Sequence, residues 1–137
     1  MSIVLDASLT LSWYFEDERT DGGDAVMAVV AAEGAIVPAL WRYEVANGFL
    51  VAIRRRRIDA AYRDASLADL RLFPITVDRA DDHTARTATL GLADRFGLTI
   101  YDAAYLEIAD RLGLAIGTTD RQLRAAASSL AIQVLGA

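Results

Sequence analysis

The chain has 137 residues, a formal net charge of −5 and 54% hydrophobic residues, enough for a single domain (residues 1–137) with a substantial core. It has no cysteine, one histidine (His83) and no lysine, all 14 basic residues being arginine; this excludes disulfide scaffolds, thiolate or multi-histidine zinc sites, a lysine-dependent phosphate loop and Schiff-base chemistry. The acidic balance argues against a protein that coats nucleic acid, although it leaves room for a local basic patch.

The start carries no charged-then-apolar leader and no stretch is long enough to cross a bilayer, so the expected setting is cytoplasmic, with no membrane contact. Residues 3–5 form a short all-apolar run, the pattern of a strand buried on both faces. A short helix is expected over 9–15 and a second, rich in small residues, over 24–32, with Gly34 as its stop. Residues 35–37 read as a strand ended by Pro38, and a long helix as running from 39 to about 57. Its apolar residues (Leu40, Trp41, Val45, Phe49, Leu50, Ile53) cover more than one stripe, which predicts burial on two sides or a subunit interface.

Asp59 is placed to cap a helix reaching about residue 72, followed by a strand over 74–77. Asp81 or Asp82 caps a helix to about 96, with Gly97 after it; a further helix is expected over 102–112, stopped at Gly113. Strands over 114–117 and 131–135 flank a last helix over 120–128. The alternation predicts an α/β three-layer sandwich with a mostly parallel central sheet flanked by helices. Trp13, Trp41, Tyr14 and Phe49 read as core or interface aromatics, the run Glu16-Asp17-Glu18 as a solvated loop, and His83 as a surface or capping residue.

Four carboxylates sit where these elements end or turn: Asp6, Glu44, Asp102 and Asp120. A carboxylate at the edge of a core is costly unless paired, hydrogen-bonded or bound to a cation. In an open parallel sheet, sites form beyond the carboxyl ends of the strands. Asp6 and Asp120 follow strands, Asp102 opens a helix, and Glu44 lies on the helix leaving residue 37, so all four are expected at one edge, in one pocket. There they suit a divalent ion that prefers hard oxygen ligands, Mg²⁺ or Mn²⁺. Ser8, Asn47 and Thr118 stand beside them as polar residues able to orient ligands. Read singly, Asp102 and Asp120 also suit helix N-caps, and the three polar residues suit local backbone bonds. The cluster Arg54-Arg55-Arg56-Arg57 reads either as a helix C-terminus favoured by the macrodipole or as a phosphate-binding patch for RNA.

The segments Ile3-Val4-Leu5-Asp6-Ala7-Ser8, Glu44-Val45-Ala46-Asn47, Tyr101-Asp102-Ala103-Ala104-Tyr105-Leu106 and Thr118-Thr119-Asp120-Arg121-Gln122-Leu123 resemble the signature regions of PIN-domain ribonucleases, most closely the VapC-type toxins of type II toxin–antitoxin pairs. The resemblance implies a Mg²⁺-dependent endoribonuclease, dimeric and inhibited by a small cognate antitoxin, with Asp6, Glu44, Asp102 and Asp120 as its acidic set and Ser8, Asn47 and Thr118 as their polar company. The implied reaction is hydrolysis of an RNA phosphodiester, leaving a 5′-phosphate and a 3′-hydroxyl. Two other readings remain: a catalytically inactive relative whose acidic pocket receives a basic side chain, and an aspartate-nucleophile phosphatase built on Asp6. The latter chemistry resembles the haloacid dehalogenases, which want a second Asp at position 8 and a lysine, and this chain has neither.

Overall fold

The apolar run near the N-terminus becomes the central strand of a five-stranded sheet. The computed structural model describes residues 1–137, and its strands are β1 (Ile3–Leu5), β2 (Ala35–Val37), β3 (Ile75–Val77), β4 (Ile116–Gly117) and β5 (Val134–Leu135). Their order is β3-β2-β1-β4-β5 and every pairing is parallel, so the sheet is wholly rather than mostly parallel. Val4 pairs with Ile36 on one side and Ile116 on the other, and Val4, Leu5 and Ile116 are fully enclosed. Parallel neighbours require crossover connections, and helices supply them here: α1 (Ala7–Ser12), α2 (Asp21–Glu33), α3 (Leu40–Arg54), α4 (Ala60–Leu70), α5 (Asp82–Thr84), α6 (Leu90–Phe96), α7 (Ile100–Leu112) and α8 (Arg121–Ser129). They enclose one continuous apolar cluster on the sheet, giving the expected three-layer α/β sandwich. No helix is long and apolar enough to cross a membrane.

Several boundaries differ from expectation for identifiable reasons. Helix α1 starts at Ala7 because Asp6 caps it, its side chain accepting from the Ser8 N–H. It ends at Ser12, so Tyr14 and Phe15 leave the helix and fold onto α3. Their rings lie 5.9 and 5.7 Å from that of Phe49. Phe49 is fully buried by this contact; the second apolar face of α3 is therefore covered within the chain, and Phe49 is no interface residue. Helix α3 also crosses α1 closely. A Cβ on Gly48 would run into the Leu11 side chain, so any larger residue there requires Leu11 to move. Trp41 locks the crossing by donating from Nε1 to Thr10 Oγ1 at 3.1 Å.

Helix α2 begins at Asp21, three residues earlier than expected, because Thr20 caps it through the Gly23 N–H. Helix α7 begins at Ile100, with Thr99 rather than Asp102 as its cap. The helix expected up to 96 includes a π-helical turn, Ala85–Thr89, between α5 and α6, and Gly97 ends it in the left-handed conformation (φ 64°). Strands β4 and β5 are two residues each, shorter than the apolar runs that contain them.

The arginine cluster is not one helical array. Helix α3 stops at Arg54, and Arg56 takes a positive φ of 59°. Arg57 turns back to Asp17 and Glu18 at 2.9 and 2.8 Å and lies 4.6 Å over the Phe15 ring. The run 16–18 is accordingly a short 3₁₀ turn facing an arginine rather than a free loop. His83 is exposed, one residue after the start of α5, which Asp81 caps.

Candidate active site

The strand order, which runs outward from β1 to β2 and β3 on one side, switches to the other side of β1 with β4, and at such a switch point the loops beyond the carboxyl ends of the strands diverge to leave a crevice. Asp6 leaves β1 at this point and Thr118 leaves β4. The chain stays paired one step past the strand, Asp6 N–H donating to Gly117 O at 3.0 Å. Thr118, fully buried, then donates from Oγ1 to Asp6 Oδ2 at 2.8 Å and accepts from the Asp120 N–H at 3.1 Å. One hydroxyl therefore links the carboxylate after β1 to the loop carrying Asp120. Arg124, from α8, donates to Thr118 O at 2.7 Å and steadies that loop.

The four predicted carboxylates come to one edge. Asp6 is 5% exposed. Glu44, on the second turn of α3, and Asp102, in the first turn of α7, are half-buried, and Asp120 is exposed. Burial pushes the Asp6 carboxyl up to about 6; the charges of Asp102 and Glu44 add to the rise, against donors from Thr118 and Ser8. Glu44 is raised by burial and by Asp102, opposed by a hydrogen bond from Tyr105. Asp102 is raised by burial and then by the charge of Asp120, opposed by its bond with Thr99. Asp6, Glu44 and Asp102 thus each feel another carboxylate of the set.

None of the four forms an ion pair within the chain. The only charge complement the fold offers is partial and positive: α1, α7 and α8 all direct their N-termini here. None of the four carboxylates lines any of the five main cavities.

The polar companions divide. Thr118 orients Asp6 as expected. Ser8 is exposed and serves Asp6 through its backbone N–H at 3.4 Å, not its hydroxyl. Asn47 is exposed and makes no side-chain hydrogen bond. Asp120 caps α8, with Oδ1 accepting from the Leu123 N–H at 2.8 Å, so the simple capping reading holds for one of its oxygens. Asp102 is not the cap of α7, that place being taken by Thr99.

Sequence reasoning missed Tyr105, whose hydroxyl donates to Glu44 Oε1 at 2.6 Å. Its spacing, three residues after Asp102 on one helix, was a usable signal.

The donor set fits a divalent ion by its chemistry: hard oxygens, crowded like charges and no internal counter-charge. No group of three or more such side chains is drawn together as a ready-made cage.

Comparison with known proteins gives a consistent picture. The PIN domain family profile matches residues 3–128. Ribonuclease VapC3 of Pyrobaculum aerophilum is 32% identical over 123 residues, covering 90% of this chain and 92% of that one. Ribonuclease VapC9 of Mycobacterium tuberculosis is 32% identical over 126 residues, covering 88% and 87%. Among solved structures, PAE2754 from Pyrobaculum aerophilum superposes with a TM-score of 0.68 at 26% identity, over 92% of this chain and 79% of that one.

Proposed function

The chain belongs to the PIN-domain family, and from that premise we propose that it is a metal-dependent endoribonuclease acting as the toxin of a toxin–antitoxin pair. The observation that carries this reading is the convergence of four unpaired carboxylates, from four separate segments, on the switch point of a parallel sheet. Asp6, Glu44 and Asp102 would hold Mg²⁺, or Mn²⁺ in its place, with Asp120 engaged through water or a second ion. When bound, the cation supplies a water of lowered pKa and draws charge from the non-bridging phosphate oxygens. In-line attack of water on phosphorus then leaves a 5′-phosphate and a 3′-hydroxyl.

The protein's own part is positioning. Thr118 fixes Asp6, and the N-termini of α1, α7 and α8 favour the approach of an anionic phosphate. Arg54, Arg55 and Arg56 are exposed and outside every ion pair. They lie roughly 15 Å along α3 from Glu44 by helical rise, a reach that suits contact with RNA phosphates flanking the cut. Arg57, held by Asp17 and Glu18, is the weakest member of that patch. An antitoxin inserting an arginine among the carboxylates would supply the missing counter-charge and exclude the cation together.

Cleavage of single-stranded RNA by the purified protein tests the reading. It should require Mg²⁺ or Mn²⁺, stop in excess EDTA and yield 5′-phosphate ends. Cleavage that persists in EDTA would rule out the metal mechanism. A folded protein that never cleaves, yet binds an arginine-bearing peptide at the crevice, would favour the inactive-relative reading.

We propose also that the protein is a homodimer. With Phe49 buried, the available apolar surface on α3 is Tyr43 (73% exposed) and Leu50 (37%), one helical face at a spacing of seven. Exposed apolar groups gathered on one face favour association. Light scattering at micromolar concentration should give twice the mass of one chain, and Leu50→Glu should halve it. A monomeric wild type would end the proposal.

A further inference from the structure

Tyr105 is fully buried, yet its ring ends in a polar group that is expensive to bury without a partner. A phenylalanine would fill the same space without that cost. The hydroxyl's use is therefore in what it touches. It donates to Glu44 Oε1 at 2.6 Å, bridging α7 to α3 across 61 residues of sequence. A hydroxyl has one proton and two acceptor lone pairs. With a carboxylate oxygen at 2.6 Å that can only accept, the proton is directed to Glu44.

The other buried or capping carboxylates have their own fixtures. Asp6 is held by Thr118 and the Ser8 N–H, and Asp120 by the Leu123 N–H. Glu44 has the longest and freest side chain of the set, and Tyr105 is its one hydrogen-bond partner. We infer that Tyr105 is a positioning residue: by binding Oε1 it fixes the Glu44 carboxylate and presents Oε2 to the crevice between Asp6 and Asp102. This rests on the metal-site reading above. It adds that the site is incomplete without a tyrosine that touches neither cation nor RNA.

The test is a double-mutant cycle read by calorimetric titration of Mn²⁺ into the wild type, Tyr105→Phe, Glu44→Ala and the double variant, each first checked for fold by circular dichroism. Tyr105→Phe should weaken Mn²⁺ binding by about 10-fold, at the lower end of the loss seen when the support of a metal ligand is removed. It should lower kcat for RNA cleavage while leaving KM for RNA unchanged. In the Glu44→Ala background, where the hydroxyl has no carboxylate to hold, the same change should cost nothing further, because interacting residues do not add. Tyr105→Met, which occupies similar length without a donor, should behave as Tyr105→Phe. Equal Mn²⁺ affinity in wild type and Tyr105→Phe would overturn the inference, and so would an equal loss in both backgrounds, which would make Tyr105 a packing residue. A wild type that neither binds Mn²⁺ nor cleaves RNA would instead overturn the metal-site reading, and the inference with it.

Discussion

Asp6→Asn should abolish RNA cleavage while leaving the fold intact and raising the melting temperature of the metal-free protein at pH 7. The loss should exceed about 100-fold, beyond the ~10–100-fold typical of groups that merely support a ligand, because Asp6 is the most buried of the four carboxylates. The gain in stability follows from the same burial. At pH 7 the folded protein must keep Asp6 ionised although burial and two neighbouring carboxylates oppose it. Asparagine keeps the size and the acceptor for Thr118 but removes the charge. It weakens the cap of α1, at a cost of about 1 kcal/mol or less, while relief of the buried charge is worth on the order of 2–3 kcal/mol. The net shift should be roughly 3–8 °C for a chain of this size. Wild-type cleavage by folded Asp6→Asn would remove Asp6 from the ligand set. A melting temperature that falls would remove the electrostatic account of its burial.

The contrast between what the sequence discloses and what it hides follows the range of each interaction. Asp6 is legible because three apolar residues leading into a carboxylate mean a buried strand with a charge at its end, and that is a local pattern. Thr118 is legible for the same reason at β4. The parallel sheet follows from the alternation of runs and helical periods. The Thr99 cap was present in the sequence as a Thr followed three residues later by an Asp, before an apolar helix, but Asp102 is the more conspicuous helix starter.

Long-range pairs are different. Nothing near Phe49 announces that Tyr14 and Phe15, more than 30 positions away, would cover it; a helix with two apolar faces looks the same whether a neighbour or a second chain covers the second face. Arg57 likewise reads as one of four equal arginines until Asp17 and Glu18 arrive from 40 and 39 residues away. Asn47 shows the limit from the other side, since helical spacing sets it one turn from Glu44 but gives it no hydrogen-bond partner within the chain.

The metal-free protein should be more stable at pH 5 than at pH 7, and a divalent cation should remove much of that difference. In the unfolded chain an aspartate titrates near 4, whereas Asp6 in the folded protein titrates at about 6 because of burial first and neighbouring charge second. Below about pH 4 both states hold the proton and stability is unaffected. Between about 4 and 6 the folded state keeps a proton that the unfolded state has released, so stability falls as pH rises through that window and stays low above it. For Asp6 alone the loss is on the order of 3 kcal/mol. Glu44 and Asp102 are shifted in the same direction and steepen the fall. The measurement is thermal melting from pH 4.5 to 7.5 in EDTA and again in excess Mg²⁺. Mg²⁺ should raise the melting temperature at pH 7 through preferential binding to the folded state, and should do little at pH 4.5, where protons occupy the same oxygens. Asp6→Asn serves as the control, because other groups titrate too: it should flatten most of the slope between pH 5 and 7. An equal slope in wild type and Asp6→Asn would place the linkage on other residues. A Mg²⁺ effect as large at pH 4.5 as at pH 7 would place the cation away from these carboxylates.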